Sequence, residues 1–301
     1  MKRRINSRKV QLVLGMLTAL TIAGCDWKPG GSPASILTVS GAHDGEAKTN
    51  EAPPAKEMSA PERKALAATA EEIMARPQVP VLCYHQVRDY RPTDSRSAKD
   101  YIVPPAVFQA QMKALADSGY TTILPDQLQR YLLYGEELPA KPVMITFDDG
   151  CDEQYTVAKD VLQPLQFKAA FFIMTVSMNR PNFMSAEQIR DLHTQGHTIG
   201  LHTWDHHSVK QYEGEDWQKQ VEQPRLQLEK IIGQQVKYFA YPFGLWNKEA
   251  IPHLKDKGLE AAYQLSTARD SQEPLYTIRR IIVPGEWGGA ALIKRMNASF
   301  D

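Results

Sequence analysis

The sequence predicts an α/β fold, a distorted (β/α) barrel, because short apolar runs alternate with amphipathic stretches from Val79 onward. This alternation is typical of parallel βαβ units, and their number favours a closed or nearly closed barrel over the alternative, an open doubly wound sheet. Polar clusters directly follow several of the apolar runs. In both architectures sites form at the carboxyl ends of the strands, so these clusters are expected to share one rim.

Each element has a local signal. The runs 79–84, 121–124, 142–147, 169–173, 197–201, 238–241 and 261–265 are short and apolar, and they predict strands. The stretches 61–76, 105–118, 126–133, 156–165, 186–195, 217–232 and 248–257 predict helices. In the helix 105–118, apolar residues recur near helical spacing and Gly119 follows as a stop signal. Ser59 is the predicted N-cap of the helix that begins near Pro61.

The N-terminus predicts export. Basic residues precede an apolar stretch, 10–23, that is too short for a comfortable membrane span and is typical of a signal peptide. Ile22-Ala23-Gly24-Cys25 resembles a bacterial lipobox, with a plain signal peptide as the alternative. That resemblance implies a lipid on Cys25, and it implies an exported lipoprotein on the periplasmic face of a membrane or at the cell surface.

Composition divides the chain into a signal peptide (1–24), a flexible tether (25–60), an N-terminal helix (61–78) and a catalytic domain (79–301). The tether is rich in Pro, Gly, Ala, Ser, Lys and Glu, which cannot bury a core. Lys+Arg and Asp+Glu each number 35, so no overall field favours a nucleic acid partner. Cys83 and Cys151 are either two free thiols or a disulfide, and the absence of a CxxC pair argues against a cysteine zinc site.

Two adjacent carboxylates end the strand 142–147, in the segment Thr146-Phe147-Asp148-Asp149-Gly150. A strand-terminating turn alone would account for them. Adjacent residues that leave a strand can nevertheless point in different directions. One carboxylate could then bind a metal while the other faces a reacting water.

Two histidines, His202 and His206, follow the strand 197–201 and are separated by three residues. Such a pair can converge on one cation, and His207 is an alternative to His206. One carboxylate and two imidazoles suit Zn²⁺, although other divalent metals also accept these ligands. The second carboxylate would be a general base, and His85, at the end of its own strand, is the best candidate for the acid.

These segments resemble the ordered motifs of the polysaccharide deacetylases, carbohydrate esterase family four. They are TFDDG at 146–150, HTWDH at 202–206, YPFG at 241–244 and YHQV at 84–87. The position of YHQV before the Asp-Asp motif resembles the circularly permuted branch, which includes poly-β-1,6-N-acetylglucosamine deacetylases. The resemblance covers roughly 79–283 and implies the NodB-homology fold.

The resemblance implies a role for each matching residue. Asp148 would be the general base and His85 the general acid, and the metal ligands would be Asp149, His202 and His206. The metal would be Zn²⁺, with Co²⁺ or Ni²⁺ as alternatives. The substrate site would include Tyr241, Pro242, Phe243 and Gly244, with the Phe243 N–H helping to bind the oxyanion.

The chain also departs from the family pattern. Many members carry an Arg in the third motif where this chain has Ala240, so the sequence assigns no residue that orients the general base. Trp204, Trp246 and Trp287 could each stack on a sugar ring or belong to the core.

The predicted function is therefore metal-dependent removal of N-acetyl groups from a polysaccharide. The substrate would be an exopolysaccharide such as poly-β-1,6-N-acetylglucosamine, or a cell-wall glycan, and exopolysaccharide export machinery is a candidate partner. The alternatives are an O-acetyl esterase and an inactive, lipid-anchored glycan-binding module. A serine hydrolase is disfavoured, because the chain contains no Gly-x-Ser-x-Gly.

Overall fold

The structure is a computed structural model that describes residues 66–300. The predicted signal peptide, Cys25, the tether and the proposed cap Ser59 lie outside the described residues. In the part of the chain that is described, no helix is both long and apolar enough to span a bilayer.

Strands and helices alternate along the chain, as the sequence predicts. The strands are β1 Val81–Tyr84, β2 Thr121–Thr122, β3 Pro142–Asp149, β4 Ala170–Ile173, β5 Thr198–Leu201, β6 Tyr238–Ala240, β7 Ala261–Tyr263 and β8 Ile281–Ile282. The helices are α1 Ala70–Ala75, α2 Pro105–Asp117, α3 Pro125–Tyr134, α4 Asp152–Val157, α5 Ala186–Thr194, α6 Gln223–Ile232, α7 Ala250–Asp256 and α8 Gly289–Phe300.

The predicted N-terminal helix is interrupted. Leu66 is helical, the next three residues are not, and α1 covers Ala70–Ala75, so the continuous helix over 61–76 is wrong. The cause is a capping box at Thr69, whose hydroxyl accepts from the Glu72 N–H while the Glu72 carboxylate accepts from the Thr69 N–H.

Two predicted helices are interrupted by wider turns. The stretch 156–165 begins earlier, as α4, and passes through a π-helical segment at Ala158–Leu162. The stretch 217–232 opens with a π-helical segment, Gln218–Glu222, before α6. Pro224 stands in the first turn of α6 and has no N–H to donate to a preceding carbonyl, which favours the wider turn there.

All strand pairs are parallel, and the main path of the sheet runs β7-β6-β5-β4-β3-β1-β8, with β2 beside β3. The segment 278–283 then curls the sheet towards closure. Ile278 exchanges backbone hydrogen bonds with β7 residues and their neighbours, while Val283 donates to the Cys83 carbonyl of β1. The predicted distorted (β/α) barrel is confirmed.

Alternation along β3 determines which side chains face the interior. Val143, Ile145 and Phe147 pack in the core between the sheet and the helices, whereas Met144 belongs to the cluster inside the barrel. Asp148 lies two positions beyond Thr146 on the interior face, at the carboxyl end of the strand. The sheet therefore carries one carboxylate inward at its rim.

Close packing inside the barrel depends on a glycine in β5. A Cβ added to Gly200 would lie 2.5 Å from the Phe172 ring, which is closer than real side chains come. The ring of Phe172 therefore occupies the space beside the β5 backbone, and Arg280 lies against that ring, 5.4 Å from its centroid.

Candidate active site and metal centre

A cleft of about 350 Å³ opens at the carboxyl ends of the strands. It collects the polar residues that end β3 or follow β1, β5 and β6, as the fold prediction requires. The residues that line it are His85, Gln86, Ala98, Tyr101, Asp148, Asp149, His202, His206, Tyr241, Phe243, Gly244 and Leu265.

Three side chains in the cleft converge on one point. The Asp149 Oδ1 atom lies 3.5 Å from His202 Nε2 and 3.7 Å from His206 Nε2. All three candidate ligand atoms lie within 4.8 Å of one another. Ligands at about 2.1 Å from a tetrahedral zinc lie about 3.4 Å apart, so the spacing fits such an ion.

The backbone brings these groups together through unusual conformations. Asp149 has φ 77°, Thr203 has φ 67° and His206 has φ 68°, all in the left-handed region. The Thr203 hydroxyl accepts from the His206 N–H at 2.9 Å, which closes the loop between the two histidines. The strained conformations therefore serve to turn Asp149 and His206 towards the same point.

The tautomer of His202 is fixed by a neighbouring strand. Its Nδ1 lies 2.8 Å from the Ala240 carbonyl and donates to it. The Nε2 lone pair therefore points into the cleft, where this buried atom has no hydrogen-bond partner among the described residues. A metal ion would satisfy that nitrogen, and the carbonyl contact is the kind of outer support that metal-binding histidines have.

The second carboxylate, Asp148, is paired with a different group. Arg280 forms a bidentate ion pair with it, Nη1 to Oδ1 and Nη2 to Oδ2, each at 2.7 Å. Both side chains are buried. Burial opposes the charge on Asp148, but the attraction of Arg280, His202 and His85 holds its pKa below the usual range.

Further groups hold Asp148 and Arg280 in place. The Arg280 guanidinium also donates to the Thr146 hydroxyl at 3.1 Å and to the Gln264 carbonyl at 3.0 Å. The Cys83 thiol donates to Asp148 Oδ2 at 3.5 Å. Asp148 therefore has an environment that is almost complete without a metal.

His85 lies beside Asp148 and does not belong to the group formed by Asp149, His202 and His206. Its Nε2 is 3.9 Å from Asp148 Oδ2, and its ring packs edge-on against Tyr101 at 4.9 Å. Gln154 donates to the backbone carbonyls of both His85 and Asp148, at 2.7 and 2.6 Å. Burial lowers the pKa of His85, and the two nearby aspartates offset that effect only in part.

The turn 241–244 borders the cleft. Phe243 has φ 60°, is 59% exposed and packs edge-on against His206, with 4.4 Å between ring centroids. Tyr241 and Gly244 also line the cleft, although Tyr241 is fully buried and its hydroxyl has no partner among the described residues. Pro242 is buried and does not line the cleft, and its place in the substrate site stays a prediction.

Comparison with known proteins gives the class of this site. Residues 135–262, which contain the Asp-Asp pair, both histidines and the 241–244 turn, match the polysaccharide deacetylase family. Residues 135–262 therefore belong to a NodB-like polysaccharide deacetylase domain.

Relatives extend the match beyond that segment. The chain aligns over 266 residues with YxkH of Bacillus subtilis, which is named as a polysaccharide deacetylase, at 27% identity. This alignment contains the deacetylase domain and covers 85% of this chain and 92% of YxkH. This chain is also 27% identical over 229 residues to the poly-beta-1,6-N-acetyl-D-glucosamine N-deacetylase of Staphylococcus aureus, and the alignment covers 67% of this chain and 77% of that protein. The deacetylase PplD of Streptococcus pyogenes, solved in complex with acetate, shares the fold with a TM-score of 0.67 and 22% identity, covering 73% of this chain and 99% of PplD.

The structure of the deacetylase also distinguishes between alternatives that the sequence left open. His207 is largely exposed and pairs with Asp205 at 2.9 Å, so it is His206 that lies beside Asp149. Cys83 and Cys151 are both buried free thiols, not a disulfide. Trp246 and Trp287 pack against the main core, whereas Trp204 borders a separate surface cavity.

Arg280 is the residue beside Asp148 whose role in the deacetylase the sequence did not predict. The sequence places no Arg in the third motif, and the structure shows that the orienting guanidinium comes from the residue just before β8. Two successive arginines among apolar residues, Ile278-Arg279-Arg280-Ile281, were the available signal. A charge at an inward position of a barrel strand requires a buried partner.

Proposed function

We propose that this deacetylase hydrolyses the N-acetyl groups of N-acetylglucosamine units in a polysaccharide and that it requires a divalent metal. The observation that carries the proposal is the buried, unpartnered Nε2 of His202, which lies with Asp149 and His206 beside the ion pair of Asp148 with Arg280. Such an arrangement separates a metal-binding carboxylate from a proton-accepting one.

The metal would be held by Asp149, His202 and His206. Zn²⁺ suits one carboxylate and two imidazoles, and Co²⁺ or Ni²⁺ accept the same ligands. A divalent ion there would lower the pKa of a water molecule and polarise the acetyl carbonyl. The cleft leaves room for both, since Asp149 and His206 are partly exposed.

Asp148 is proposed as the general base. It accepts a proton as the oxygen of the attacking water bonds to the acetyl carbon, and Arg280 orients both carboxylate oxygens. Its low pKa keeps it ionised, so the base is in the proton-accepting form throughout the neutral range. Without Arg280, burial would favour the protonated form, which cannot act as a base.

His85 is proposed as the general acid. As the carbon–nitrogen bond breaks, the protonated imidazole donates to the departing nitrogen, and the products are acetate and a free amine. A lowered pKa makes His85 a stronger acid once it is protonated. The backbone N–H of Phe243, at the rim of the cleft, is proposed to bind the oxyanion that forms on the acetyl oxygen.

The proposed substrate is an exopolysaccharide such as poly-β-1,6-N-acetylglucosamine, or a cell-wall glycan. The name of the Staphylococcus aureus relative supports the first choice. We also propose that the chain is exported and anchored by lipid on Cys25, so that it meets the polymer at the periplasmic face of a membrane or at the cell surface. Exopolysaccharide export machinery is a proposed partner.

Acetate release from N-acetylglucosamine oligomers tests the proposal. The purified domain without its lipid is assayed as isolated, after chelation, and after Zn²⁺ or Co²⁺ is restored. Release that disappears on chelation and returns with metal is the expected result. Release only from O-acetylated sugars would replace the amide with an ester as the substrate, and release from neither, with no metal bound, would favour a glycan-binding module.

A further inference from the structure

A second cavity lies beside the loop that carries His202 and His206. It measures about 560 Å³, larger than the active-site cleft. Its lining residues come from that loop, from the segment before α6 and from α6 itself. They are Trp204, Glu215, Asp216, Gln218, Lys219, Gln223, Pro224 and Gln227.

We propose that this cavity is a second sugar subsite, which holds another hexosamine unit of the same polysaccharide chain whose acetyl group occupies the cleft. The inference rests on the proposed function, because it assumes that the substrate of the cleft is a polymer. It assigns a task to the one tryptophan of the motif 202–206 that the metal centre does not use.

Trp204 belongs to the loop that contributes to the linings of both cavities: His202 and His206 line the cleft, and Trp204 lines the second cavity. It is two residues from His202 and two from His206, and two residues of extended chain span at most about 7 Å. The backbone of Trp204 is therefore close to that of both histidines. In the proposed subsite, a polymer with one unit in the cleft would place a later unit against Trp204.

The indole ring is held in place and is still accessible. Trp204 is partly exposed, and the Lys219 ammonium lies 4.5 Å from its ring centroid. This contact restrains the ring, which lowers the entropy lost when a flat apolar sugar face stacks on it. Lys219 forms no ion pair with a carboxylate among residues 66–300, so its N–H groups remain able to donate to a sugar hydroxyl.

The rest of the lining is rich in uncommitted hydrogen-bonding groups. The side chains of Glu215, Gln218, Gln223 and Gln227 make no hydrogen bond to another residue in the described part of the chain, and all four are exposed. Amides and carboxylates together can both donate to and accept from hydroxyl groups. Sugar hydroxyls need partners of both kinds.

The charge of the cavity argues against an anionic ligand. Glu215 and Asp216 outnumber the single cation Lys219, which disfavours phosphate or a nucleic acid backbone. An aromatic ring, several amides and a slight negative charge instead fit a neutral N-acetylglucosamine unit or its deacetylated, cationic form. Both forms occur in a polymer that the enzyme processes.

Two sets of variants test the subsite from different sides of the cavity. Trp204→Ala removes the stacking surface. Trp204→Phe is the conservative variant, which keeps an aromatic ring and should retain most of the oligomer binding. Gln223→Ala with Gln227→Ala alters only α6 and leaves the metal-binding loop untouched. Gln109→Ala, an exposed glutamine on α2, is the matched control.

The readout compares a long N-acetylglucosamine oligomer with a single unit, which can fill only the cleft. We expect KM for the oligomer to rise roughly tenfold in Trp204→Ala, with kcat and the single-unit kinetics nearly unchanged. The α6 variants should shift KM in the same direction, and the control should not. Equal loss on both substrates, or an unchanged KM for the oligomer in both sets, would overturn the subsite.

A binding measurement separates failure of this proposal from failure of the proposed function. The same oligomer is titrated into Asp148→Asn, alone and combined with Trp204→Ala. If the wild-type enzyme releases no acetate but the oligomer binds and Trp204→Ala weakens that binding, the subsite stands and the reaction must be reconsidered. Absent binding, or binding that ignores Trp204, rejects the subsite whatever the enzyme catalyses.

Discussion

Asp148 and Asp149 are consecutive residues, but they end β3 in different environments. Asp148 is buried and already satisfied, with both oxygens on Arg280 and one on the Cys83 thiol. Asp149 is partly exposed, has a left-handed backbone conformation and faces two imidazoles that point their free nitrogens towards it. One environment is complete without a metal, and the other is not.

This difference shows how one dipeptide can serve two tasks. The inward alternation of β3 directs Asp148 into the barrel, where the buried Arg280 is the main group that keeps it charged. The positive φ of Asp149 turns the next side chain away from that interior and into the cleft. A metal can therefore bind at one carboxylate without neutralising the base beside it.

The largest expected effect comes from a substitution of Asp148, the buried member of the aspartate pair. Asp148→Asn should lower kcat for acetate release by about 1000-fold, because the amide cannot accept the proton of the attacking water. The measurement is steady-state acetate release at saturating metal. Asp117→Asn, at an exposed pair with Lys113, is the control; a loss below tenfold in Asp148→Asn would count against its role as base.

Arg280→Met is expected to have the next largest effect, on stability. It leaves a buried carboxylate without its partner, which should reduce the free energy of unfolding by about 3–5 kcal/mol in urea. Arg130→Met, which breaks an exposed pair with Glu136, should change it by no more than about 1 kcal/mol. Adding Asp148→Asn to Arg280→Met should recover part of the loss, and no recovery would contradict the pairing.

Much of this comparison could be predicted from the sequence, because it depends on local signals. The apolar runs predicted seven of the eight strands, and the Asp-Asp and His-x-x-x-His spacings predicted which residues meet at the rim. Arg280 could not be placed in this way. Its partner is 132 positions away, and an arginine beside a two-residue strand has no local pattern that separates a buried ion pair from a surface charge.

The helix boundaries show the same limit. The predicted helix over 61–76 carries a helical composition, but the chain starts α1 where Thr69 and Glu72 form a reciprocal cap. The strand β8 and the helix α8 were not predicted. β8 is defined by its hydrogen bonds to β1, since two isoleucines alone are too short for a strand pattern.

The two histidines that flank β5 also differ in environment, and one of them makes the stability of the fold depend on pH. His202, at the rim, faces the cleft, whereas His197, at the other end, accepts from the Ala169 N–H through Nδ1 and has a buried, unpartnered Nε2. Burial, assisted by Lys168, lowers the pKa of His197 from 6.5 to about 4. The folded state therefore binds this proton less readily than the unfolded state.

The stabilising effect of neutral His197 is complete above pH 6.5 and is lost as the pH falls towards 4. We expect the free energy of unfolding to fall by about 3 kcal/mol across this window from His197 alone. His197→Gln keeps an acceptor but does not titrate, so its urea midpoint should depend less steeply on pH. An equal slope in both proteins would assign the acid sensitivity to other groups.

The smallest expected effect concerns the two thiols. Cys83 touches the buried base and Cys151 follows the Asp-Asp-Gly turn, but burial raises the pKa of both. Reductant should therefore leave the melting temperature and acetate release of the domain 66–300 unchanged, and a thiol-alkylating agent should label neither cysteine until the protein unfolds. Rapid labelling of the folded domain would show that this part of the site is more open than described.

The most direct test of the central claim is the number of zinc equivalents bound by Asp148→Asn and by Asp149→Asn after dialysis, measured alongside the wild-type domain. Division of tasks between the two carboxylates predicts that Asp148→Asn keeps close to the wild-type zinc content while acetate release is lost. Asp149→Asn should lose both zinc and activity. Equal zinc loss in both variants, or full zinc retention in Asp149→Asn, would contradict the account.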